Sequence, residues 1–221
     1  MMDASLDTDI VVHLYKSGKK ELLFSFCNKL YMHWYLLENE LKGKSYSVYQ
    51  EVVDDTCNGS IKIVTGLDLA RMGVKNLFNR YMEEYEFLFD TGEQYAVALA
   101  KTIGIAALLS DDTKRFGPHD MLVRGLVEGV IPFAFYELLF LKYIKTDMTP
   151  EEMLYEFEEV NANSMEKHPM NFRNRMLKTV RRFSKRFGEE RDRKWLSEFC
   201  CNNGIDYEKK VGRLKSLLKE L

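Results

Sequence analysis

The stretch from Thr91 to Asp112 is nearly apolar and carries carboxylates only at its two ends. Glu93 stands near its start, Asp111 and Asp112 stand at its end, and Lys101 is the one charged residue between them. Acidic residues that avoid the middle of a segment but frame it need a structural explanation. The placement of these carboxylates constrains the fold more than any other feature of this chain.

Two successive elements account for the stretch. Thr91 and Gln94 have the spacing of a capping box, and Gly104 ends a run of good helix formers, so we predict a helix of about ten residues. The continuous apolar run from Ile105 to Leu109 predicts a buried strand.

The lengths of these elements return the chain to its starting edge. A helix of about ten residues is ~15 Å long, and a strand of about five residues is ~16 Å long. The helix that begins near Glu93 and the strand that ends before Asp111 are therefore about equally long, so both residues lie at the same edge of the sheet. In an open α/β sheet, ligands bind at the edge beyond the carboxyl ends of the strands.

Alternating strand and helix patterns continue through about residue 140 and are followed by helices alone. We therefore predict an α/β fold with a central, mainly parallel sheet flanked by helices, and an α-helical C-terminal extension. The expected boundary separates residues 1–145 from residues 146–221. With 221 residues and 46% hydrophobic composition, the chain can bury one sizeable core.

Local signals place several elements within this outline. A very short first strand ends at Leu6-Asp7, and a helix follows it as far as Gly18. The segment GLDLARMGVKNLFNRYMEEYEFLF predicts one helix because apolar residues recur at helical spacing. Thr149 followed by Pro150 and two glutamates predicts another helix start.

Composition excludes several classes of protein. The net charge of -2 neither requires nor excludes nucleic acid, and the cysteines show no CxxC spacing, so a thiolate metal site is not expected. The N-terminal residues include no basic leader, and the longest apolar stretch, residues 130 to 141, is too short for a bilayer and contains Glu137. We expect a cytoplasmic protein without a membrane partner.

Four carboxylates are predicted to lie where strands give way to helices or loops: Asp7, Glu40, Glu93 and Asp111. Gathering like charges is costly unless a cation sits among them. Mg²⁺ and Mn²⁺ prefer oxygen ligands and suit that role, and such ions support phosphodiester hydrolysis. Glu38 remains an alternative to Glu40 as the ligand from its segment.

These motifs resemble those of the PIN-domain nucleases, in particular the prokaryotic VapC-like ribonucleases. LDTDIVVHLYKSG resembles the first motif of the family, LLENEL the second, TGEQYAVALA the glycine-glutamate helix start, and LLSDDTKRFG the fourth motif. The resemblance covers about residues 4 to 145. In the first strand this chain has Asp3, Ala4 and Ser5 where large apolar residues are usual.

The resemblance implies a three-layer PIN-like fold and an Mg²⁺- or Mn²⁺-dependent endoribonuclease. It implies that Asp7, Glu40, Glu93 and Asp111 bind the ion and act in catalysis, while Asp9, Ser110 and Asp112 support them. It further implies an RNA substrate, a homodimer, and a role as the toxin of a toxin–antitoxin pair that a small protein partner silences.

The segment NFRNRMLKTVRRFSKRF, residues 171 to 187, predicts a basic amphipathic helix. Phe172, Met176, Val180, Phe183 and Phe187 recur every three or four residues on one face. The other face offers candidate contacts to RNA phosphates. They are Arg173, Arg175, Lys178, Arg181, Arg182, Lys185 and Arg186.

Two other functions are compatible with the same sequence. Asp7 and Asp9 fit the DxDxV pattern of haloacid-dehalogenase-like phosphatases, in which the first aspartate attacks phosphorus and the second is the acid/base. Alternatively, the fold is a non-catalytic module that binds RNA or protein through its C-terminal helices.

Overall fold

The structure, a computed structural model, describes residues 2–111, 118–119, 126–163 and 170–221. Contacts divide the chain into two compact units, Met1–Phe135 and Tyr136–Leu221. This division lies earlier in the sequence than the predicted boundary after residue 145.

Among the described residues, five strands form one fully parallel sheet. Helices flank this sheet, which confirms the predicted α/β class and agrees with a three-layer arrangement. The order across the sheet is β3-β2-β1-β4-β5. The strands are β1 (Met2–Leu6), β2 (Cys27–His33), β3 (Ile61–Val64), β4 (Ala107–Leu109) and β5 (Ile131–Phe133).

Helices connect the strands of the first unit. A π-helical segment, Leu36–Leu41, precedes α3. The α-helices in the described part of this unit are α1 (Thr8–Lys16), α2 (Glu21–Phe26), α3 (Lys42–Lys44), α4 (Tyr46–Cys57), α5 (Gly66–Arg71), α6 (Lys75–Tyr85) and α7 (Thr91–Ile103).

The strand order creates a switch point between β1 and β4. From β1 the chain builds outward through β2 to β3, and it then returns through α5, α6 and α7 to place β4 on the other side of β1. Ligand sites of open α/β sheets form at such points, outside the carboxyl ends of the strands. Asp7 follows β1 directly, and Ser110 and Asp111 follow β4.

Small residues in β1 allow α7 to pack closely on the sheet. Ala4 and Ser5 are fully buried, and so are Ala96, Ala98 and Ala100 of α7. The Ser5 hydroxyl donates a hydrogen bond of 2.8 Å to the carbonyl oxygen of Ala96, which satisfies a polar group in the core. A central strand without large side chains is therefore compatible with a well-packed sheet.

Two local predictions for the first unit were wrong. The segment expected to form one helix forms α5 and α6, because Gly73 adopts a left-handed conformation with φ of 73° between them. The capping box of α7 consists of Asp90 and Glu93 rather than Thr91 and Gln94. Aspartate accepts from the N3 amide as effectively as threonine, so the cap lies one residue earlier than expected.

The second unit is α-helical in its described part. Its helices are α8 (Phe135–Lys145), α9 (Pro150–Ala162), α10 (Phe172–Arg182), α11 (Glu190–Asn203) and α12 (Tyr207–Glu220). Thr149 caps α9 with Pro150 in the first turn, as predicted. The basic helix ends at Arg182 rather than at residue 187, and Phe187 is 63% exposed. None of the helices in the described ranges is long and apolar enough to cross a membrane.

Candidate functional site

Asp7 is fixed at the carboxyl end of the central strand. Its backbone amide donates to the carbonyl oxygen of Leu109 at 2.9 Å, which extends the pairing of β1 with β4 by one residue. One carboxylate oxygen accepts from the Thr8 amide at 2.7 Å and caps α1, and the other accepts from the Ser110 hydroxyl at 2.9 Å. The residue is only 4% exposed. Asp7 is therefore a buried acid held by both strands at the switch point.

Burial raises the pKa of Asp7 to about 7, and the nearby charge of Asp9 contributes in the same direction. The hydrogen bond from Ser110, the charge of Lys44 and the amide of Thr8 oppose this rise. A carboxyl group with a pKa near 7 changes its protonation state close to neutral pH. It is suited to transferring a proton or to gaining its charge when a cation binds.

Glu40 reaches the same edge from the π-helical segment. Its carboxylate accepts from the Thr8 hydroxyl at 3.0 Å. It also lies against the start of α7, because a β-carbon on Gly92 would be only 2.6 Å from Glu40 Oε1. π-Helical turns are rare and occur frequently at functional sites.

Glu38 lies in a different environment from Glu40. It accepts from Lys42 at 3.0 Å and from the Tyr49 hydroxyl at 2.8 Å. These hydrogen bonds lower the pKa of Glu38. Of the two glutamates considered from sequence, Glu40 is the one that contacts the residue next to Asp7.

Lys44 supplies a positive charge among the acids. Its ammonium group donates to the Thr8 hydroxyl and to Asp9 Oδ1 at 2.7 Å each, and it is 3.5 Å from Glu40 Oε2. Partial burial lowers its pKa, but the hydrogen bond to Asp9 and the charges of Asp9, Asp7 and Glu40 outweigh burial and raise the pKa overall. Lys44 is therefore a permanent cation at this edge.

Sequence reasoning missed Thr8, Lys44 and Gly92. Lys44 had a detectable signal, because it follows Glu40 by four residues, the spacing of a helical ion pair. Thr8 and Gly92 stand inside the motifs LDTDIVVHLYKSG and TGEQYAVALA, but no local pattern links them to Glu40, because these contacts join segments that are distant in sequence.

Glu93 is buried at the start of α7 and takes part in the cap of that helix. Its amide donates to Asp90 Oδ1 at 3.0 Å, and its own carboxylate accepts from the Asp90 amide at 3.4 Å. It is 3% exposed and follows directly after Gly92, the residue that Glu40 approaches. The sequence prediction that Glu93 lies at this sheet edge thus agrees with the position of α7.

Asp111, which follows β4, contacts two other residues of the first unit, His13 and Phe135. Its Oδ2 lies 2.7 Å from His13 Nδ1 on α1, and its Oδ1 accepts from the Phe135 amide at the start of α8 at 2.7 Å. Both Asp111 and His13 are buried. The neighbouring Ser110 contacts Asp7 as expected for a supporting residue, and Asp112 lies outside the described residues.

The predicted metal ligands are thus partly brought together. Thr8 bridges Asp7 and Glu40, with Asp9 and Lys44 beside them, whereas the Asp111 carboxylate contacts His13 and the Phe135 amide. In the described part of the chain, no three acidic, imidazole or thiol groups lie close enough together to hold one ion. The four-carboxylate metal site stays a prediction.

The predicted phosphate-binding residues divide into two groups. Arg182 is buried, with its guanidinium 2.7 Å from Glu137 and 2.6 Å from Asp192. Arg175 is partly buried over the Tyr136 ring. The other five side chains are exposed, namely Arg173, Lys178, Arg181, Lys185 and Arg186.

Comparison with known protein families, with curated proteins and with solved structures finds no match for this chain.

Proposed function

We propose that the chain is a metal-dependent endoribonuclease of the PIN type, with its reacting groups at the carboxyl edge between β1 and β4. The observation that carries this proposal is Asp7, a buried carboxyl at the switch point whose pKa is raised to about 7. Burying such a group costs stability, and strongly perturbed carboxyl groups at such clefts are candidates for functional residues.

The oxygen-rich surroundings of Asp7 suit a hard divalent ion. Asp7, Asp9 and Glu40 are the candidate ligands for Mg²⁺ or Mn²⁺, together with Glu93 and Asp111 from the family resemblance, and their side chains would have to move closer together around the ion. The Lys44 ammonium, which pairs with Asp9 and Glu40, marks a place where cations are favoured. When bound, such an ion supplies a water of lowered pKa and neutralises phosphoryl charge.

The residues of the chain have separate parts in this proposal. Asp7 is oriented by the Thr8 amide and the Ser110 hydroxyl, so it can hold or release a proton at a fixed position. Lys44 offers a positive charge to a phosphate oxygen. The exposed basic residues of α10 and the segment after it favour an RNA substrate through its phosphates.

The remaining parts of the proposal come from the family resemblance. They are a toxin role, a homodimer and a small protein partner that silences the nuclease. Isolation of the native complex and measurement of its mass would test them independently of catalysis.

The direct test is cleavage of single-stranded RNA in Mn²⁺ and in Mg²⁺. We expect Asp7→Asn and Glu40→Gln to reduce cleavage at least ~100-fold, the typical contribution of one positioned acid or base. Glu38→Gln is the matched control, since Glu38 contacts Lys42 and Tyr49 instead. Absence of cleavage by the unmodified chain in both ions would reject the nuclease.

The phosphatase is a second candidate because Asp9 lies close enough to raise the pKa of Asp7 and pairs with Lys44. Hydrolysis of p-nitrophenyl phosphate separates the two enzymes. A phosphatase requires both Asp7 and Asp9, whereas the nuclease depends far more on Asp7. RNA binding without any hydrolysis would instead favour the non-catalytic module.

A further inference from the structure

The C-terminal unit contains a cavity of about 730 Å³ among α10, α11 and α12. Its walls are mainly apolar and include Val180, Phe183, Leu196 and Val211. Small-molecule sites typically enclose about 300–1,000 Å³ and have mostly apolar walls. The cavity is therefore large enough for an organic ligand.

Charged residues at this cavity are predominantly positive. The acids among its lining residues are Glu190 and Glu208. The basic lining residues are Lys185, Arg186, Arg193, Lys194 and Lys215. Because Lys185, Arg186, Lys194 and Lys215 are exposed, they form a positive rim around an apolar interior.

Two polar donors on the cavity wall lack an acceptor among the described residues. They are the Tyr207 hydroxyl and Arg193 Nε, both shielded from solvent. Burial raises the pKa of Tyr207, so its hydroxyl stays protonated and remains a donor. Buried donors without acceptors cost free energy that an oxygen-bearing ligand can recover.

The walls of the cavity are held in place by a buried charge network. The Arg182 guanidinium on α10 pairs with Asp192 on α11 at 2.6 Å and with Glu137 on α8 at 2.7 Å. The Phe183 ring stacks on Phe140 with their centroids 6.3 Å apart. These contacts hold α10 against α11 and α8, two of the helices that line or support the cavity.

We propose that this cavity binds a small organic anion, with its apolar body inside and its carboxylate or phosphate group at the positive rim. The apolar walls select the body of the ligand, and the excess of positive charge selects its head group. A stacked nucleobase fits less well, because the Phe183 ring already packs against Phe140 and Trp195.

Two matched double variants of the full chain test the proposal. Arg186→Glu with Lys215→Glu reverses two charges at the rim. Arg181→Glu with Lys209→Glu makes the same change in total charge at exposed positions that do not line the cavity. Arg181 and Arg186 both lie over the Phe187 ring, so each double variant also loses one such contact.

The probe is dodecanoate, titrated calorimetrically below its micelle concentration, with dodecyltrimethylammonium as a cation of the same chain length. We expect saturable binding of dodecanoate at one site and weaker binding of the ammonium compound. The rim variant should bind dodecanoate at least tenfold more weakly, and the control variant should stay within about twofold of the unmodified chain.

Three results would overturn the proposal. They are no saturable binding of dodecanoate, equal binding of the two surfactants, or equal weakening by both double variants. A parallel titration with single-stranded RNA identifies the alternative occupant. If the rim variant loses RNA binding while dodecanoate does not bind, the positive rim is a nucleic-acid contact instead.

Discussion

The Glu40 carboxylate lies against Gly92 so closely that a β-carbon on residue 92 would be 2.6 Å from Oε1 and 2.7 Å from Oε2. This contact places a negative charge at the N-terminal turn of α7, where the helix dipole favours it. The absence of a side chain at residue 92 is therefore what allows Glu40 to reach the switch point.

Gly92→Ala should displace Glu40 without unfolding the chain. Alanine favours the helix by roughly 0.5–1 kcal/mol over glycine, and the flexible Glu40 side chain can move away. We expect an unchanged or raised melting temperature and at least a tenfold loss of RNA cleavage. Gly66→Ala is the control, because a β-carbon at that first-turn position meets nothing within 4 Å. Equal activity of the two variants would contradict the importance of the Glu40 position.

Asp7 should make the stability of the chain fall as pH rises. Its pKa increases from the ordinary value of 3.8 to about 7 on folding, so between these pH values the folded chain binds more protons than the unfolded chain. Asp7→Asn removes this titration and keeps an acceptor for the Thr8 amide. The variant should gain stability over the unmodified chain from about pH 4 to pH 7, reaching a few kcal/mol.

Urea unfolding at a series of pH values in EDTA measures this difference. A stability difference between Asp7→Asn and the unmodified chain that does not vary with pH would show that Asp7 does not titrate in this range. Repeating the series with Mn²⁺ should reduce the advantage of the variant, because a bound cation favours the ionised carboxylate.

Lys44 should compete with a divalent ion for the same acids. Its ammonium group contacts Asp9 and Glu40, so Lys44→Met removes a resident positive charge. We expect Mn²⁺ to bind the variant at least threefold more tightly in calorimetric titrations. Lys42→Met is the matched control, because Lys42 pairs with Glu38 away from Asp7. Mn²⁺ binding by the Lys44 variant that is equal to or weaker than binding by the control variant would exclude competition.

Asp111 should contribute to stability even without an ion. Its two carboxylate oxygens contact His13 and the Phe135 amide, both at 2.7 Å. Asp111→Ala removes the acceptor from two buried groups, so we expect a loss on the order of 2–4 kcal/mol in EDTA, measured by urea unfolding. Asp9→Ala, which removes an ion pair at a more exposed position, should cost less than about 1 kcal/mol. If Asp111→Ala instead stabilised the metal-free chain, the result would indicate that the carboxylates proposed as metal ligands repel one another.

Sequence patterns located most of the elements that carry the candidate site. The apolar run before Asp111 and the helix after Asp7 were predictable because burial and capping act between residues close in sequence. The two local errors in the first unit, at Gly73 and at Asp90, have the same origin. A left-handed glycine and an alternative cap change only a few residues, so the surrounding periodicity hides them.

The sequence by itself determined the α/β class and the position of Asp7 and Asp111 after strands. Only the tertiary structure decided which charged groups contact one another. Lys44 lies beside Asp9, His13 beside Asp111, and Arg182 beside Glu137 and Asp192. Charge partners are chosen by strand order and helix packing, which join residues far apart in the chain. Periodicity records which face of an element is buried, but not what that face contacts.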